Sequence, residues 1–200
     1  MSMVGYIIGL GDRHPNNIML QRSTGKIVHI DFGDCFEVTR MRKHFPERVP
    51  FRLTRMLGNA MEACRTEGIF RHTCQKIMKM MRSNKESILV IVEAFRYDPL
   101  IGWKATARGD TDDHIRIENI RQDLFLDQWD QHLRTAHKLP QKGEAEGTKH
   151  ILNNIHKKLN GVYSEKGSIL SESEHVDKLI KEAMSPLDLV QHYRWWCIFW

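Results

Sequence analysis

Features of exported and membrane-spanning proteins are scarce in this sequence of 200 residues. Its four cysteines form no C-x-x-C pair and show no zinc-type spacing, which favours a reducing compartment. No apolar run reaches the ~18 residues that a membrane-spanning helix requires. The first ten residues also lack the basic start and the small-residue cleavage site of a secretory signal. We therefore expect a cytoplasmic protein.

A strong excess of one charge is absent too. The 30 lysines and arginines face 25 aspartates and glutamates, and the formal charge of +5 is spread along the chain. Such a balance does not predict a nucleic-acid partner. With 41% hydrophobic residues the chain can bury a core, and its length suits one domain, or one domain with an appendage.

The start of the chain predicts a helix followed by a β-hairpin. The apolar stretch "MSMVGYIIGL" has no helix-starting residue, which indicates a buried helix entered part-way, and we expect the natural sequence to continue upstream. The short β-branched runs "NIML" and "KIVHID" flank the turn sequence "QRSTGK". A hairpin of these runs places Asn17 just before one strand and Asp31 just after the other, at one end of the pair.

Side chains around this hairpin have the spacing of a phosphoryl-transfer site. Asn17 follows Asp12 by five positions, and Asp31 opens a D-F-G tripeptide. In protein kinases, residues with this spacing are the base that accepts the substrate proton and two magnesium ligands. Magnesium prefers hard oxygen ligands, which all three side chains offer. Each also has a structural alternative, since a lone Asp12 would cap a turn and a lone D-F-G forms an ordinary turn after a strand.

The order Asp-Arg-His, the reverse of the usual His-Arg-Asp, indicates one branch of the kinases. "GLGDRHPNN" and "HIDFGD" resemble the phosphatidylinositol 3-kinase-related protein kinases and their lipid-kinase relatives. "HIDFGDCFE", "VPFRLTRML" and "EAFRYDPL" are most similar to the target of rapamycin group of that family. The resemblance extends from Ser2 to about Trp103. It implies the C-lobe of a PI3K/PI4K-like protein kinase fold.

The resemblance also implies roles for polar residues at matching positions. Asp12 would be the catalytic base or would orient the substrate. His14 would stabilise charge on the transferred phosphoryl group, although a lone histidine here could equally be a buried, hydrogen-bonded one. Asn17 and Asp31 would bind Mg²⁺ or Mn²⁺, the metal that accompanies ATP.

Two apolar residues of the hairpin have an implied role as well. By the same resemblance, Met19 and Ile30 would form the lower wall of the adenine pocket for ATP. Their apolar side chains on the two hairpin strands are consistent with that role. Plain core packing is the structural alternative for both positions.

The segment that starts at the D-F-G, residues 31–54, is interpreted as the activation loop. Its basic residues Arg40, Arg42, Lys43 and Arg48 are opposed by Glu37 and Glu47. Two prolines block regular structure there. The loop is either a solvated basic stretch or a platform that positions a peptide substrate. Because lipid-kinase relatives would hold a phosphoinositide headgroup on a comparable stretch, the loop alone does not distinguish a protein from a lipid substrate.

Helical periodicity follows this loop and makes the predicted fold mainly α with a small β-hairpin (α+β). Helices are expected within 51–64, 74–81 and 87–95, with their apolar faces and their methionines packed in the core. In the first of these helices the apolar positions are Leu53, Met56, Leu57, Ala60 and Met61.

The region after the C-lobe is less informative. Residues 134–150 have the composition of a turn or linker, and one helix is predicted on each side of them, the second ending at Gly161. The supporting apolar positions are Ile120, Leu124, Trp129 and Leu133 for the first, and Ile151, Leu152, Ile155 and Leu159 for the second. We expect a kinase C-lobe over 1–103 (catalytic loop 9–17), a helical or linker regulatory region over 104–167, and a tail domain over 168–200.

The tail begins with a predicted helix. A capping box links Ser171 to Glu174, one apolar face follows, and the helix is expected to stop at Ser185 and Pro186. The apolar face consists of Val176, Leu179, Ile180 and Ala183.

The aromatic end "LDLVQHYRWWCIFW" resembles the FATC tail of the same family, and the matching residues are Trp196, Cys197, Phe199 and Trp200. Trp195 replaces the usual glycine and Ile198 the usual proline, which predicts an altered turn. Position 190 holds a valine where the family can have a second cysteine, so no disulfide is expected within this tail. The aromatic end either docks on the C-lobe or contacts a membrane surface.

Two functions remain open. The resemblance implies an ATP-dependent Ser/Thr protein kinase that controls growth and nutrient signalling, with protein substrates and target of rapamycin complex subunits as partners. No glycine-rich phosphate loop and no ATP-aligning strand lysine precede Asp12 in these 200 residues, so we expect the chain alone to be inactive. The alternative is a truncated, non-catalytic FATC-bearing interaction module. The FATC-like end disfavours a lipid kinase. Endomembranes and the nucleus are further expected locations.

Overall fold

The computed structural model describes residues 1–61, 63–94, 142–163 and 168–199. It is mostly helical with a two-stranded antiparallel sheet, which confirms the predicted fold class. The helices and strands are α1 Ser2–Ile8, β1 Ile18–Leu20, β2 Ile27–His29, α2 Arg55–Ala60, α3 Ile69–Ser83, α4 Lys85–Ala94, α5 Lys142–Leu159, α6 Glu172–Ala183 and α7 Pro186–Leu189. Among these residues, no helix combines the length and apolar character needed to span a bilayer.

Helix α1 lies in the core, as its apolar sequence predicts. Met3, Tyr6 and Ile7 are buried in the main hydrophobic cluster. The helix ends at Gly9, whose φ of 64° is the left-handed conformation that glycine adopts without steric cost. A Cβ at Gly9 would also lie 2.5 Å from the backbone nitrogen of Glu37, so the chain after α1 passes directly against the activation loop.

The hairpin of β1 and β2 confirms the predicted strand pair. Met19 pairs with Val28 in the antiparallel register, and the Ile30 N–H donates to the Asn17 carbonyl at 3.1 Å, which extends the ladder toward the catalytic loop. Directly paired residues share a face of the sheet, and so do residues two positions apart along a strand. Met19, Val28 and Ile30 therefore lie on the same face as the position of Asn17.

The core joins α1 and α3 to the tail helix α6 through a buried polar network. His175 of α6 is fully buried, with Nε2 2.9 Å from the Tyr6 hydroxyl and Nδ1 2.8 Å from an Arg82 guanidinium nitrogen. Arginine can only donate, so Nδ1 accepts and the ring proton sits on Nε2. Burial and the Arg82 charge lower the pKa of His175 to about 4.

The start and the apolar face of α6 are as predicted. Ser171 and Glu174 form both bonds of the capping box, which satisfies backbone N–H groups at the start of the helix. The four predicted face residues are all buried, and they are Val176, Leu179, Ile180 and Ala183. The helix ends at Ala183, just before Ser185 and Pro186, as expected.

Two predictions about helices were wrong. The helix expected across 51–64 covers only Arg55–Ala60. Leu53 enters the core from the extended chain before this helix, while Met56, within the helix, is 49% exposed. Residues 142–150, interpreted as linker, are part of α5. Their glycines and charges lowered the apparent helical periodicity, while the apolar positions of the second half of α5 are buried or half-buried as predicted. The helix predicted from Ile120 to Leu133 lies outside the described residues.

Candidate active site

The catalytic-loop residues predicted from the sequence come together in the structure. The Asn17 side-chain amide donates to the Asp12 carbonyl at 2.9 Å and lies 3.4 Å from the Asp12 carboxylate. Nε2 of His14 is 3.7 Å from the same carboxylate. Asn17 is buried, whereas Asp12 and His14 are half-exposed, which leaves both of them accessible to a substrate.

Arg13, to which the sequence assigned no role, connects this loop to the D-F-G. The residue is 97% buried, and its guanidinium donates to the carbonyl oxygens of Gly11 at 2.7 Å and Ile30 at 2.8 Å, and to that of Asp31. Three backbone carbonyls from two segments therefore share one planar cation. This brace places Asp31 beside the catalytic loop. In the sequence, the only sign of this role of Arg13 is its position directly after Asp12.

Both acidic residues of the site have unusual backbone conformations. Asp12 has φ of 56° and Asp31 has φ of 57°, in the left-handed region that aspartate tolerates better than most residues. The Asp31 carboxylate accepts from the Gly33 N–H at 3.1 Å. Local strain of this kind persists where surrounding contacts impose it, and it concentrates at functional sites.

The donor set fits a magnesium or manganese ion. The Asn17 amide nitrogen is engaged with Asp12, so its oxygen is the atom available to a cation. Together with the Asp31 carboxylate it offers oxygen donors only, as these hard cations prefer. Next to Asn17 the hairpin presents Met19, 49% exposed, and Ile30, 37% exposed, on one face. The two predicted adenine-wall residues are thus solvent-facing rather than core.

The sequence as a whole has clear relatives. It matches the family described as phosphatidylinositol 3- and 4-kinase over residues 1–105, and the FATC domain over residues 169–200. The chain belongs to the phosphatidylinositol 3- and 4-kinase family. All of it aligns with the target of rapamycin homolog of Caenorhabditis elegans at 46% identity and with the serine/threonine-protein kinase TOR2 of Saccharomyces cerevisiae at 45%. The resemblance to target of rapamycin kinases is confirmed.

This family member spans a small part of those relatives. It covers 7% of the C. elegans protein and 8% of the S. cerevisiae protein. A solved structure, the FAT and kinase domain of CtTel1, superposes with a TM-score of 0.73 and 31% identity, and it covers the whole of this chain and 11% of that one. The superposition therefore includes both the kinase region and the FATC region of this chain.

The activation loop of this family member is not a fully solvated stretch, contrary to the simpler interpretation of its charges. Thr39, Glu47 and Val49 are buried, and Arg42 forms an ion pair with Asp34 at 2.9 Å. Burial raises the pKa of the Glu47 carboxyl, even though the Asp12 amide donates to it. The loop is held against the catalytic loop rather than extended into solvent.

The FATC end contacts the activation loop through aromatic residues, and the Tyr193 ring stands 5.7 Å from that of Phe45. Trp196 is buried against Val49 and Leu189. Trp195 and Phe199, in contrast, are 69% and 73% exposed. Docking of the aromatic end is therefore observed for Trp196. Contact with a membrane surface stays a prediction for the exposed Trp195 and Phe199.

Arg52 secures this docked end. Its guanidinium donates to the Cys197 carbonyl at 2.9 Å and to the Trp196 carbonyl, stands 4.6 Å from the Trp196 ring, and reaches the Arg13 carbonyl at 3.3 Å. Arg52 thus connects the FATC end to the catalytic loop. Sequence reasoning missed this residue, because an arginine in a basic stretch carries no mark of burial.

Proposed function

We propose that the chain is the part of a Ser/Thr protein kinase that carries the catalytic loop, the metal-binding residues and the FATC tail. One observation supports this most directly. The Asp12 carboxylate lies 3.7 Å from Nε2 of His14 and 3.4 Å from the Asn17 side-chain amide, and Arg13 holds the Asp31 backbone against the same loop. A fold shared with named protein kinases does not by itself assign a reaction, whereas this arrangement suits phosphoryl transfer.

The residues would divide the chemistry among them. The Asp12 carboxylate orients the substrate hydroxyl and accepts its proton. His14, 3.7 Å away, donates to the phosphoryl oxygens as their charge develops. Asn17 and Asp31 hold Mg²⁺ or Mn²⁺. When bound, the metal neutralises charge on the phosphates of ATP.

The hairpin would receive the nucleotide. Met19 and Ile30 share its exposed face beside Asn17, and apolar side chains of this kind pack against the plane of an adenine ring. This supports, as part of the proposal, an ATP site whose lower wall is formed by the two residues.

Substrates, partners and location belong to the same proposal. The named protein kinases among the relatives support protein substrates, and their name supports growth-controlling complexes of the target of rapamycin type as partners. A cytoplasmic location, with an endomembrane or nuclear pool, follows from that role. The exposed Trp195 and Phe199 support peripheral membrane contact, since such aromatics favour the lipid interface.

We further propose that the 200-residue chain needs additional sequence for activity, because it covers 7% to 8% of the relatives it matches. The function is therefore tested in a chimera. The matching stretch of the yeast TOR2 kinase is replaced by this chain, and transfer of labelled phosphate from ATP to a peptide is measured. Asp12→Asn is expected to lower kcat at least 100-fold, in the range for loss of a proton-transfer group. Asp31→Asn is expected to lower kcat because it removes a carboxylate that would hold the metal. Glu93→Gln, at an exposed carboxylate of α4, is the control.

A second measurement uses the 200-residue chain with Mn²⁺ as the probe. Paramagnetic broadening of backbone amides is expected around residues 12, 17 and 31, and it should disappear in Asp31→Asn. An inactive chimera with no Mn²⁺ effect in the chain would contradict the kinase proposal and favour the non-catalytic FATC-bearing module. Activity of the unmodified chain without added sequence would contradict its predicted dependence on additional sequence.

A further inference from the structure

A buried carboxylate of the activation loop lies directly against the catalytic loop. Glu47 is 93% buried, and its Oε2 accepts the backbone N–H of Asp12 at 2.9 Å. The two residues are 35 positions apart in sequence. A hydrogen bond from an amide to an ionised carboxylate is about twice as strong as one between neutral groups. Glu47 is therefore suited to control where the Asp12 backbone lies.

The Asp12 backbone depends on such outside support. Its φ of 56° is left-handed, a conformation that costs a non-glycine residue of order 1–3 kcal/mol and persists only where neighbours impose it. Glu47 supplies the acceptor for the Asp12 N–H. The Asn17 amide holds the carbonyl of the same residue at 2.9 Å. The Asp12 peptide groups are thus held from both sides.

Thr39 reinforces the contact between the two loops. The Glu47 N–H donates to the Thr39 carbonyl at 3.1 Å, and the Thr39 side chain hydrogen-bonds the Glu47 carboxylate. Gly11, just before Asp12, approaches Thr39 so closely that an added Cβ would overlap its side chain. The activation loop therefore contacts the catalytic loop at Gly11 through Thr39 and at Asp12 through Glu47.

Glu47 is not explained by an ordinary stabilising ion pair. In the part of the chain that the structure describes, it forms no ion pair within 4.0 Å, because the nearby Arg42 pairs with Asp34. A carboxylate buried without a cation costs free energy unless hydrogen bonds satisfy it, and an apolar residue of similar volume would avoid that cost. The bonds that satisfy Glu47 come from Asp12 and Thr39.

We infer that Glu47 is a positioning residue, which holds the catalytic Asp12 in its reactive orientation by accepting its backbone N–H and so makes that orientation dependent on the fold of the activation loop. This rests on the proposed role of Asp12. Because catalysis is sensitive to small misplacements, a shift of ~1 Å at Asp12 would cost up to about 100-fold in rate.

The test compares Glu47→Gln with Glu47→Met. The two side chains have similar length and volume, but only glutamine keeps an oxygen that accepts the Asp12 N–H. Glu67→Gln, at an exposed glutamate, is the matched control. In the 200-residue chain, hydrogen exchange of the Asp12 amide is expected to accelerate at least tenfold in Glu47→Met and to change less than threefold in Glu47→Gln and the control. This readout does not depend on activity.

Kinetics of the chimera provide the second readout. Glu47→Met is expected to lower kcat by 10- to 100-fold with KM for ATP within twofold of the parent, while Glu47→Gln retains most of kcat. Equal losses in both variants, or a loss in KM alone, would overturn the positioning role. If Glu47→Met fails to fold, an unchanged Asp12 amide and full kcat in Glu47→Gln support the inference, and a lost amide bond or a tenfold lower kcat in that variant overturns it. Full activity in Asp12→Asn would instead overturn the proposed function.

Discussion

Replacement of Arg52 by methionine is expected to release the end of the chain from the catalytic loop. Arg52 donates to the carbonyls of Trp196 and Cys197 and stacks over the Trp196 ring at 4.6 Å. Methionine keeps an unbranched stem of similar reach but removes the cation and every donor. Because Arg52 is 91% buried, the two carbonyls would then lose a charged partner in a largely solvent-free environment.

The structure gives the scale of the loss. Hydrogen bonds to a charged group contribute about 1.5–3 kcal/mol each, and a desolvated cation–π contact contributes about 2 kcal/mol. Because the contacts share one side chain they are not additive, and we expect tail docking to weaken by about 3–4 kcal/mol. That is a large part of the ~5–15 kcal/mol that stabilises a typical domain.

Hydrogen exchange of the Trp196 and Cys197 amides in the 200-residue chain measures this directly. A weakening of 3–4 kcal/mol raises exchange by a factor of several hundred if these amides exchange by local opening of the tail. Arg40→Met, at an arginine whose side chain is 47% exposed, should change exchange less than fivefold, as expected for a surface ion pair. Unchanged protection in Arg52→Met would refute the view that Arg52 fastens the tail.

Three further outcomes are expected. The pKa of His175, lowered to about 4 in the fold from ~6.5 in the unfolded chain, means that the unfolded chain binds the extra proton first. Urea unfolding should therefore show a loss of about 2 kcal/mol between pH 7 and pH 5, smaller in His175→Asn, and a pH-independent difference between the two proteins would contradict this. Ser171→Ala should lower the free energy of unfolding by about 1 kcal/mol, measured in the same way. An unchanged free energy would show that the capping box does not stabilise the fold. Gly11→Ala should destabilise the chain by about 1–3 kcal/mol, and by less when it is introduced into the Thr39→Gly variant; an equal loss in both backgrounds would place the strain elsewhere.

Local features of the fold followed from the sequence because their causes are close together along the chain. The hairpin of β1 and β2 needs only two β-branched runs and a turn, and the capping box needs Ser171 and Glu174 three positions apart. Periodicity was less reliable where tertiary packing overrides it. Leu53 is buried outside any helix, while Met56, at a helical position of the same stretch, faces solvent.

The sequence by itself determined the candidate chemistry: the types and spacing of Asp12, Asn17 and Asp31 predicted a phosphoryl-transfer site, since the metal demands oxygen ligands and the motif keeps them in order. Only the tertiary structure decided how that site is held. Glu47 reaches Asp12 across 35 positions, and Arg52 reaches Trp196 across 144. Among 30 basic and 25 acidic residues, nothing local marks which charges will be buried. Their burial depends on desolvation and on partners that distant segments bring to them, which only the folded chain specifies.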